Sequence, residues 1–195
     1  MSLIGQKTKS DFIEWEKLQL LTQQLERDKD YKFCLLITTA MYLGTRVGDT
    51  LSLRWSDLLN REHLELTEKK TGKTRKILIN HHLRETIIRI HKKMNPQNLD
   101  DFIFLNDKRT KPISRQFVNG KLKRLVVKYQ TVKDPNKVKT HSLRKSFGRR
   151  VWENAERSEQ GLLMLNEIFN HSSIKTTKIY LGIREKELLS VYENL

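Results

Sequence analysis

The chain has 195 residues, with 38 lysines and arginines against 23 acidic residues and a formal net charge of +15. Its hydrophobic content of 37% lies above the range of disordered chains and allows one domain with a buried core. A charge excess of this size attracts polyanions, because binding to a phosphate backbone releases condensed counterions. Nucleic acid is therefore the first partner to consider.

Cysteine usage and hydropathy exclude several other classes of protein. The single cysteine, Cys34, rules out a disulfide framework and a cysteine-based zinc site, and its apolar surroundings are typical of a buried thiol in a reducing compartment. The sequence has no apolar stretch of about 18 residues and no signal-peptide core at its start. We therefore expect an intracellular protein that does not associate with membranes.

Helical periodicity dominates the first part of the chain. Residues 10–28 carry apolar side chains at helical spacing, and Asp11 with Glu14 predicts a capping pair at the start of this helix. Residues 31–44 are apolar nearly all round, which indicates a central buried helix that ends at Gly44. A short helix is expected to follow directly.

The periodicity then changes to that of strands. Residues 63–66 and 75–79 alternate apolar and polar side chains, and the glycine of the "KKTGKT" segment between them favours a tight turn. Helical periodicity returns after this predicted hairpin, in residues 83–93, 114–130 with Ser114 as the cap, 141–152, 161–169, 176–181 and 184–195. The sequence thus predicts a mainly α fold with a small antiparallel β-sheet, an α+β architecture.

Six polar residues are candidates for a site: Arg46, Lys70, His141, Arg144, His171 and Tyr180. Taken singly, each has an ordinary structural explanation. Arginine or histidine can cap a helix, a lysine in a hairpin is usually solvated, and a lone tyrosine is usually a packed aromatic. Their order and surroundings distinguish them from that background.

Four short motifs carry these residues along the chain. Gly44-Thr45-Arg46 is followed by Asp49 and Leu51-Ser52-Leu53, Lys70 lies in "KKTGK", His141-Ser142-Leu143-Arg144 follows, and "NHSSIKTTKIY" ends at Tyr180. In this order, the motifs resemble the catalytic domain of the tyrosine recombinases, the phage-type integrases, over essentially the whole chain. Two positions depart from the family pattern: Asn170 replaces the usual glycine, and Lys145 stands where a histidine is common. Lys69 and Lys73 also flank the turn. Lys70 is the best match among these three lysines because it directly precedes the Thr-Gly pair.

The resemblance implies the tyrosine recombinase fold. It also implies that the protein cleaves and rejoins DNA through a covalent 3′-phosphotyrosine at Tyr180. A tyrosine hydroxyl has a pKa of about 10, so ionising it at neutral pH costs roughly 4 kcal/mol and requires nearby positive charge. Arg46 and Arg144 can donate bidentate hydrogen bonds to the phosphate, and His141 and His171 can add further ones. The resemblance assigns to Lys70 the protonation of the leaving oxygen. It implies neither metal nor ATP nor any other cofactor.

Partners and domain organisation also follow from the resemblance. It implies double-stranded DNA as the partner, a homotetramer that forms on DNA, and no small-molecule substrate. Residues 184–195 are expected to be an amphipathic helix that packs on its own domain or docks on a neighbouring protomer. We expect residues 1–195 to be a single catalytic domain, with residues 1–9 flexible or partly foreign to it and without the N-terminal DNA-clamping domain of the family. The expected role is integration or excision of a mobile element in the cytoplasm of a bacterial-type cell.

Three alternatives remain open from the sequence alone. A type IB topoisomerase-like enzyme uses the same chemistry to relax supercoils, and a catalytically silent relative could bind DNA on the same fold. General RNA binding by a basic helical protein is a third possibility, but it does not explain the ordered motifs. Relaxed plasmid as the product would indicate the topoisomerase-like enzyme, whereas recombined sites would indicate a recombinase.

Overall fold

The computed structural model describes residues 10–68, 72–183 and 192 of the chain. The helices are α1 (Trp15–Arg27), α2 (Tyr31–Leu43), α3 (Val47–Leu51), α4 (Trp55–Leu58), α5 (His81–Met94), α6 (Arg115–Lys128), α7 (Thr140–Asn154), α8 (Glu159–Phe169) and α9 (Ile174–Leu181), with a 3₁₀ turn at Pro135–Lys137. The strands β1 (His63–Thr67) and β2 (Thr74–Leu78) form an antiparallel hairpin in which His63 lies opposite Leu78. The predicted mainly α fold with one small sheet is confirmed. Within these described residues, no helix is both long and apolar enough to cross a membrane.

Helix α2 forms the centre of the larger hydrophobic core. It is buried on nearly every side and packs against α1, α5 and α7, as its uniformly apolar sequence predicts. The helix ends at Gly44 in the left-handed conformation, with φ of 58°. A side chain at Gly44 would collide with the ring of Phe147, so this position requires glycine for conformation and for space. The chain can therefore turn directly from α2 into the motif that carries Arg46.

The start of α1 differs from the prediction. The helix begins at Trp15, and the Asp11 carboxylate accepts a hydrogen bond from Phe12 N at 2.8 Å, so the predicted capping pair is wrong. Residues 10–14, which we call the strap, instead lie against α7. Ile13 N donates to Ser146 Oγ at 2.9 Å, and that hydroxyl donates to Ile13 O at 2.6 Å. These two hydrogen bonds hold the strap in a non-helical conformation that no local pattern indicates.

A smaller hydrophobic cluster joins α7, α8 and α9. Its buried members include Trp152, Leu165, Phe169 and Leu181. An added Cβ at Gly148 of α7 would lie 2.7 Å from Leu181 Cδ2 and 2.9 Å from Phe169 Cζ. This close approach fixes α9 against α7 and so determines where Tyr180 lies.

Two sequence predictions fall outside the described residues. They concern the tip of the hairpin, residues 69–71, which includes Lys70, and the final helix over residues 184–195, of which only Tyr192 is described. Beside the tip, Gly72 has φ of 67°, the left-handed conformation that favours glycine in a tight turn.

Candidate active site

Residues from distant parts of the chain meet at the C-terminal end of α8. Arg46 precedes α3, and His141 and Arg144 lie in the first turns of α7. His171 follows α8, and Tyr180 lies on α9. The structure thus brings together five of the six candidate residues, and the sixth, Lys70, lies outside the described residues.

The two arginines converge on one backbone oxygen. Arg46 Nη2 donates to Phe169 O at 3.4 Å, and Arg144 Nη2 donates to the same oxygen at 3.2 Å. Arg144 Nη1 also donates to Gly44 O at 2.5 Å, and its guanidinium stacks 4.2 Å from the Phe169 ring centroid. The last carbonyls of a helix lack intrahelical partners and carry partial negative charge, so they attract cations. The end of α8 therefore holds two like-charged guanidinium groups side by side.

Asn170 shapes this end of the helix. It adopts the left-handed conformation with φ of 50°, which asparagine tolerates better than most residues. The departure from glycine at this position is therefore compatible with the same backbone conformation.

Burial lowers the pKa of Arg144 to about 10, which leaves its guanidinium charged at neutral pH.

Tyr180 packs within this cluster. Its ring lies edge-on to the rings of Phe169 and His171, with centroid distances of 5.4 and 5.2 Å. Its hydroxyl donates to His141 O at 3.5 Å. Burial raises the pKa of Tyr180 to about 12, although the charges of Arg144 and Arg46 act in the opposite direction. The phenol is therefore neutral at physiological pH.

Hydrogen bonds orient His171 beside the tyrosine. Thr177 Oγ1 donates to Asn166 Oδ1 at 3.0 Å and lies 3.0 Å from His171 Nδ1. Because the threonine hydroxyl has only one hydrogen, Nδ1 is the donor in this pair. The neutral ring then carries its proton on Nδ1 and keeps Nε2 as an acceptor.

His141 meets the cluster differently, since its backbone oxygen lies near the Tyr180 hydroxyl. Burial and the charges of Arg115 and Arg144 lower the pKa of His141 below its usual value. Its imidazole is therefore largely neutral at pH 7.

A buried carboxylate that the sequence analysis did not select holds Arg46 in place. Glu68 follows β1, is only 3% exposed and forms an ion pair with Arg46 Nη1. Its other oxygen lies 3.5 Å from Arg75 Nε, and Arg75 Nη1 donates to Ile168 O at 3.0 Å. Strand alternation could have found Glu68, because it shares the inward face with the buried Leu64 and Leu66. Glu68 and Arg75 thus connect the hairpin to Arg46 and to the end of α8.

One lysine beside the hairpin tip reaches the same place. Lys73 Nζ donates to Asn170 Oδ1 at 3.3 Å, at the edge of the arginine cluster. Of the three lysines that flank the turn, Lys73 is the one among the described residues, since 69–71 are not described.

A mainly helical domain with one hairpin and a tyrosine enclosed by guanidinium and imidazole groups belongs to a class of enzymes that cleave and rejoin DNA. The Phage integrase family matches residues 11–187, and the chain belongs to this family of tyrosine recombinases, which carry out site-specific recombination. The resemblance that the sequence motifs indicated is thereby confirmed.

Individual relatives support the same assignment. The chain is 32% identical to a probable integrase/recombinase, YoeC, of Bacillus subtilis (strain 168), over 91% of this chain and 92% of that protein. The fold is similar to that of XerA recombinase, with a TM-score of 0.71 and 19% identity over 94% of this chain and 64% of the other. It is also similar to XerH site-specific recombinase bound to a palindromic difH substrate, with a TM-score of 0.67 and 18% identity. The match to XerH covers 95% of this chain and 54% of XerH, so the chain spans little more than half of that protein.

Proposed function

We propose that this recombinase cleaves DNA by attack of Tyr180 on a phosphodiester, forming a covalent 3′-phosphotyrosine that is later resealed. The observation that carries the proposal is the convergence of Arg46 and Arg144 on Phe169 O beside the Tyr180 ring. A scissile phosphate can take the place of that carbonyl as the acceptor for both guanidinium groups. The energy of the broken bond is kept in the phosphotyrosyl ester, so rejoining needs no nucleotide.

Charge explains why these groups suit the reaction. The attacked phosphate gains negative charge on its non-bridging oxygens, where planar donors are most effective. Tyr180, with its pKa raised to about 12, needs the same positive groups to become a phenolate. His141 adds a hydrogen bond to the phosphate, His171 does so through Nε2 when its ring is protonated, and Lys70 protonates the leaving 5′-oxygen. A raised tyrosine pKa also means that cleavage accelerates as pH increases from 6 to 9.

We further propose double-stranded DNA as the partner and a tetramer as the active assembly on DNA. The net charge of +15 supports binding to a phosphate backbone. XerH, whose fold is similar, is a recombinase bound to its DNA substrate. Residues 1–195 act in this proposal as one catalytic domain, in the cytoplasm of a bacterial-type cell, in the integration or excision of a mobile element.

A nicked suicide DNA substrate tests the central step. The short cleaved strand diffuses away, so the covalent intermediate accumulates and is seen on a denaturing gel. The wild-type protein is expected to form an adduct, and Tyr180→Phe is expected to form none, because the phenylalanine ring keeps the packing and lacks the nucleophile. Duplexes from the ends of the host element, together with a random duplex library, supply the substrate.

A variant at a second tyrosine is the control for this experiment, and peptide mapping of the adduct identifies which tyrosine is attached to DNA. Tyr192, which is 76% exposed, is a tyrosine outside the cluster, and Tyr192→Phe should leave the adduct intact. An adduct that persists in Tyr180→Phe would reject Tyr180 as the nucleophile. Relaxed plasmid without recombined sites would favour the topoisomerase-like alternative.

A bridging sulfur in the scissile phosphate identifies the general acid. A thiol has a pKa of about 8.5, so a 5′-thiolate leaves without being protonated. We expect Lys70→Ala to cleave the normal substrate about 100- to 10,000-fold more slowly than the wild type. The same variant should cleave the sulfur substrate at nearly the wild-type rate, measured in single turnovers.

Lys73→Ala is the matched variant for that measurement. It removes a lysine from the same hairpin and breaks its contact with Asn170. If Lys70 is the acid, any defect in Lys73→Ala will be the same on both substrates. Rescue of Lys73→Ala by sulfur would instead assign the proton transfer to Lys73.

A further inference from the structure

A second basic side chain on α7 lies next to the tyrosine. Lys145 is only 4% exposed, and its Nζ donates to Ser10 O in the strap at 2.6 Å. The same Nζ lies 5.3 Å from the centroid of the Tyr180 ring. Lys145 therefore links the strap at the start of the chain to the tyrosine on α9.

Burying an ammonium group is unfavourable unless interactions compensate for the loss of water. Burial lowers the pKa of Lys145 to about 8, and the carboxylate of Asp11 in the strap opposes this shift. Within the part of the chain that the structure describes, ionisable groups near it also include His141 on α7, whose pKa Lys145 helps to lower, and Tyr180 on α9. Near pH 7, Lys145 is therefore mostly charged, and it loses that charge as pH increases through 8.

The positive charge of Lys145 interacts differently with the neutral phenol and with the phenolate of Tyr180. A cation near an aromatic ring is attracted by the negative face of the π system. When the phenol loses its proton, negative charge spreads into the ring and the attraction grows. An interaction that strengthens as the reaction proceeds accelerates the chemical step.

We propose that Lys145 is a positioning residue that holds the Tyr180 ring in the site and stabilises the phenolate as it attacks the phosphate. This inference rests on the proposed role of Tyr180 as the nucleophile. It gives a function to the lysine at a position where the family often carries a histidine.

Arg149 provides a matched control one turn along α7. It is 7% exposed and lies 4.8 Å from the Phe12 ring centroid, so it also anchors the strap. Its guanidinium also lies 5.2 Å from the Trp152 ring centroid and 3.9 Å from Glu153, and among the described residues it makes no ion pair, hydrogen bond or ring contact with Tyr180. Replacing Arg149 therefore disturbs the strap and leaves the positive charge of Lys145 beside Tyr180 in place.

Single-turnover cleavage between pH 6.5 and 9.5 tests the proposal. At pH 6.5, Lys145→Met is expected to react about tenfold more slowly than the wild type, which corresponds to a shift of about one unit in the tyrosine pKa. The difference should shrink as pH passes 8, because the wild-type lysine then becomes neutral as well. Lys145→Arg keeps its charge and should retain the wild-type rate at low pH.

The controls separate this effect from loss of structure. Arg149→Met should change the rate by the same factor at every pH, and thermal unfolding reports how much each variant weakens the strap. A ratio between Lys145→Met and the wild type that does not change with pH, or a matching profile for Arg149→Met, would overturn the inference.

A second measurement does not depend on cleavage. In a spectrophotometric titration, one tyrosine of Lys145→Arg should ionise at lower pH than in Lys145→Met. Identical titrations would overturn the role of Lys145 even if no DNA were cleaved. Absence of a wild-type adduct, by contrast, would reject the proposed attack by Tyr180, while the titration would still decide whether the charge of Lys145 lowers the pKa of the tyrosine.

Discussion

Replacing Arg144 by alanine is expected to slow single-turnover strand cleavage by about 100- to 1,000-fold, the usual effect of removing one donor to a developing negative charge. Arg144 donates to Gly44 O and Phe169 O, and its charge lowers the pKa of Tyr180. The substitution therefore removes a donor to the phosphate and a charge that favours the phenolate. Lysine at this position keeps a charge without the planar pair of donors, so we expect it to restore only part of the rate.

Arg150 is the control for Arg144. It lies on the same helix, its side chain is 39% exposed, and it pairs with Glu16 at 3.2 Å on the surface. Arg150→Ala removes the same charge from α7 and should leave the rate within about threefold of the wild type, since exposed ion pairs contribute little. Equal rates for the two alanine variants would contradict the assignment of Arg144. Thermal unfolding of both proteins shows whether the rate falls in a folded enzyme.

Replacing Glu68 by alanine is expected to lower the free energy of unfolding by about 3–5 kcal/mol. The carboxylate is 3% exposed and pairs with Arg46 and Arg75, whose side chains are 21% and 24% exposed. Its removal leaves two partly buried guanidinium groups beside each other without a neutralising anion. For a domain of this size, the loss corresponds to a decrease in Tm of roughly 10 °C. Cleavage should also slow, because Arg46 loses the group that orients it.

Chemical denaturation measures this loss, and Glu85→Ala is its control. Glu85 is 56% exposed and lies 3.2 Å from His81 on the outer face of α5, so its removal should change stability by less than about 1 kcal/mol. Glu68→Gln keeps the shape and some hydrogen bonds of the side chain, and its effect should fall between the other two. If the two alanine variants lose equal stability, the buried carboxylate does not hold the arginines.

Local patterns predicted most of the helices and the hairpin. The apolar run of α2, the cap of α6 at Ser114 and the alternation of β1 and β2 need only neighbouring residues for their interpretation. The prediction was wrong at α1, where Ser146 on a distant helix holds Ile13 outside the helix. It missed the four-residue α4, which is too short for periodicity to indicate.

The candidate residues followed from the order of motifs and not from any single side chain. Arg46, Arg144, His171 and Tyr180 were selected in that way, and the structure brings them together. Glu68 was missed although its inward face was predictable, because an acidic residue in a hairpin is usually solvated. Lys145 was noted only as a departure from the family pattern.

The sequence by itself determined the family, the basic charge, the order of the elements and the residue types available for chemistry. These properties depend on composition and on spacing along the chain, which can be read directly. Only the tertiary structure decided that Phe169 O gathers the arginines, that Glu68 neutralises Arg46, and that Lys145 lies beside Tyr180. The physical reason is that these contacts join residues far apart along the chain. Their distances are set by the packing of α7, α8 and α9 and not by local sequence.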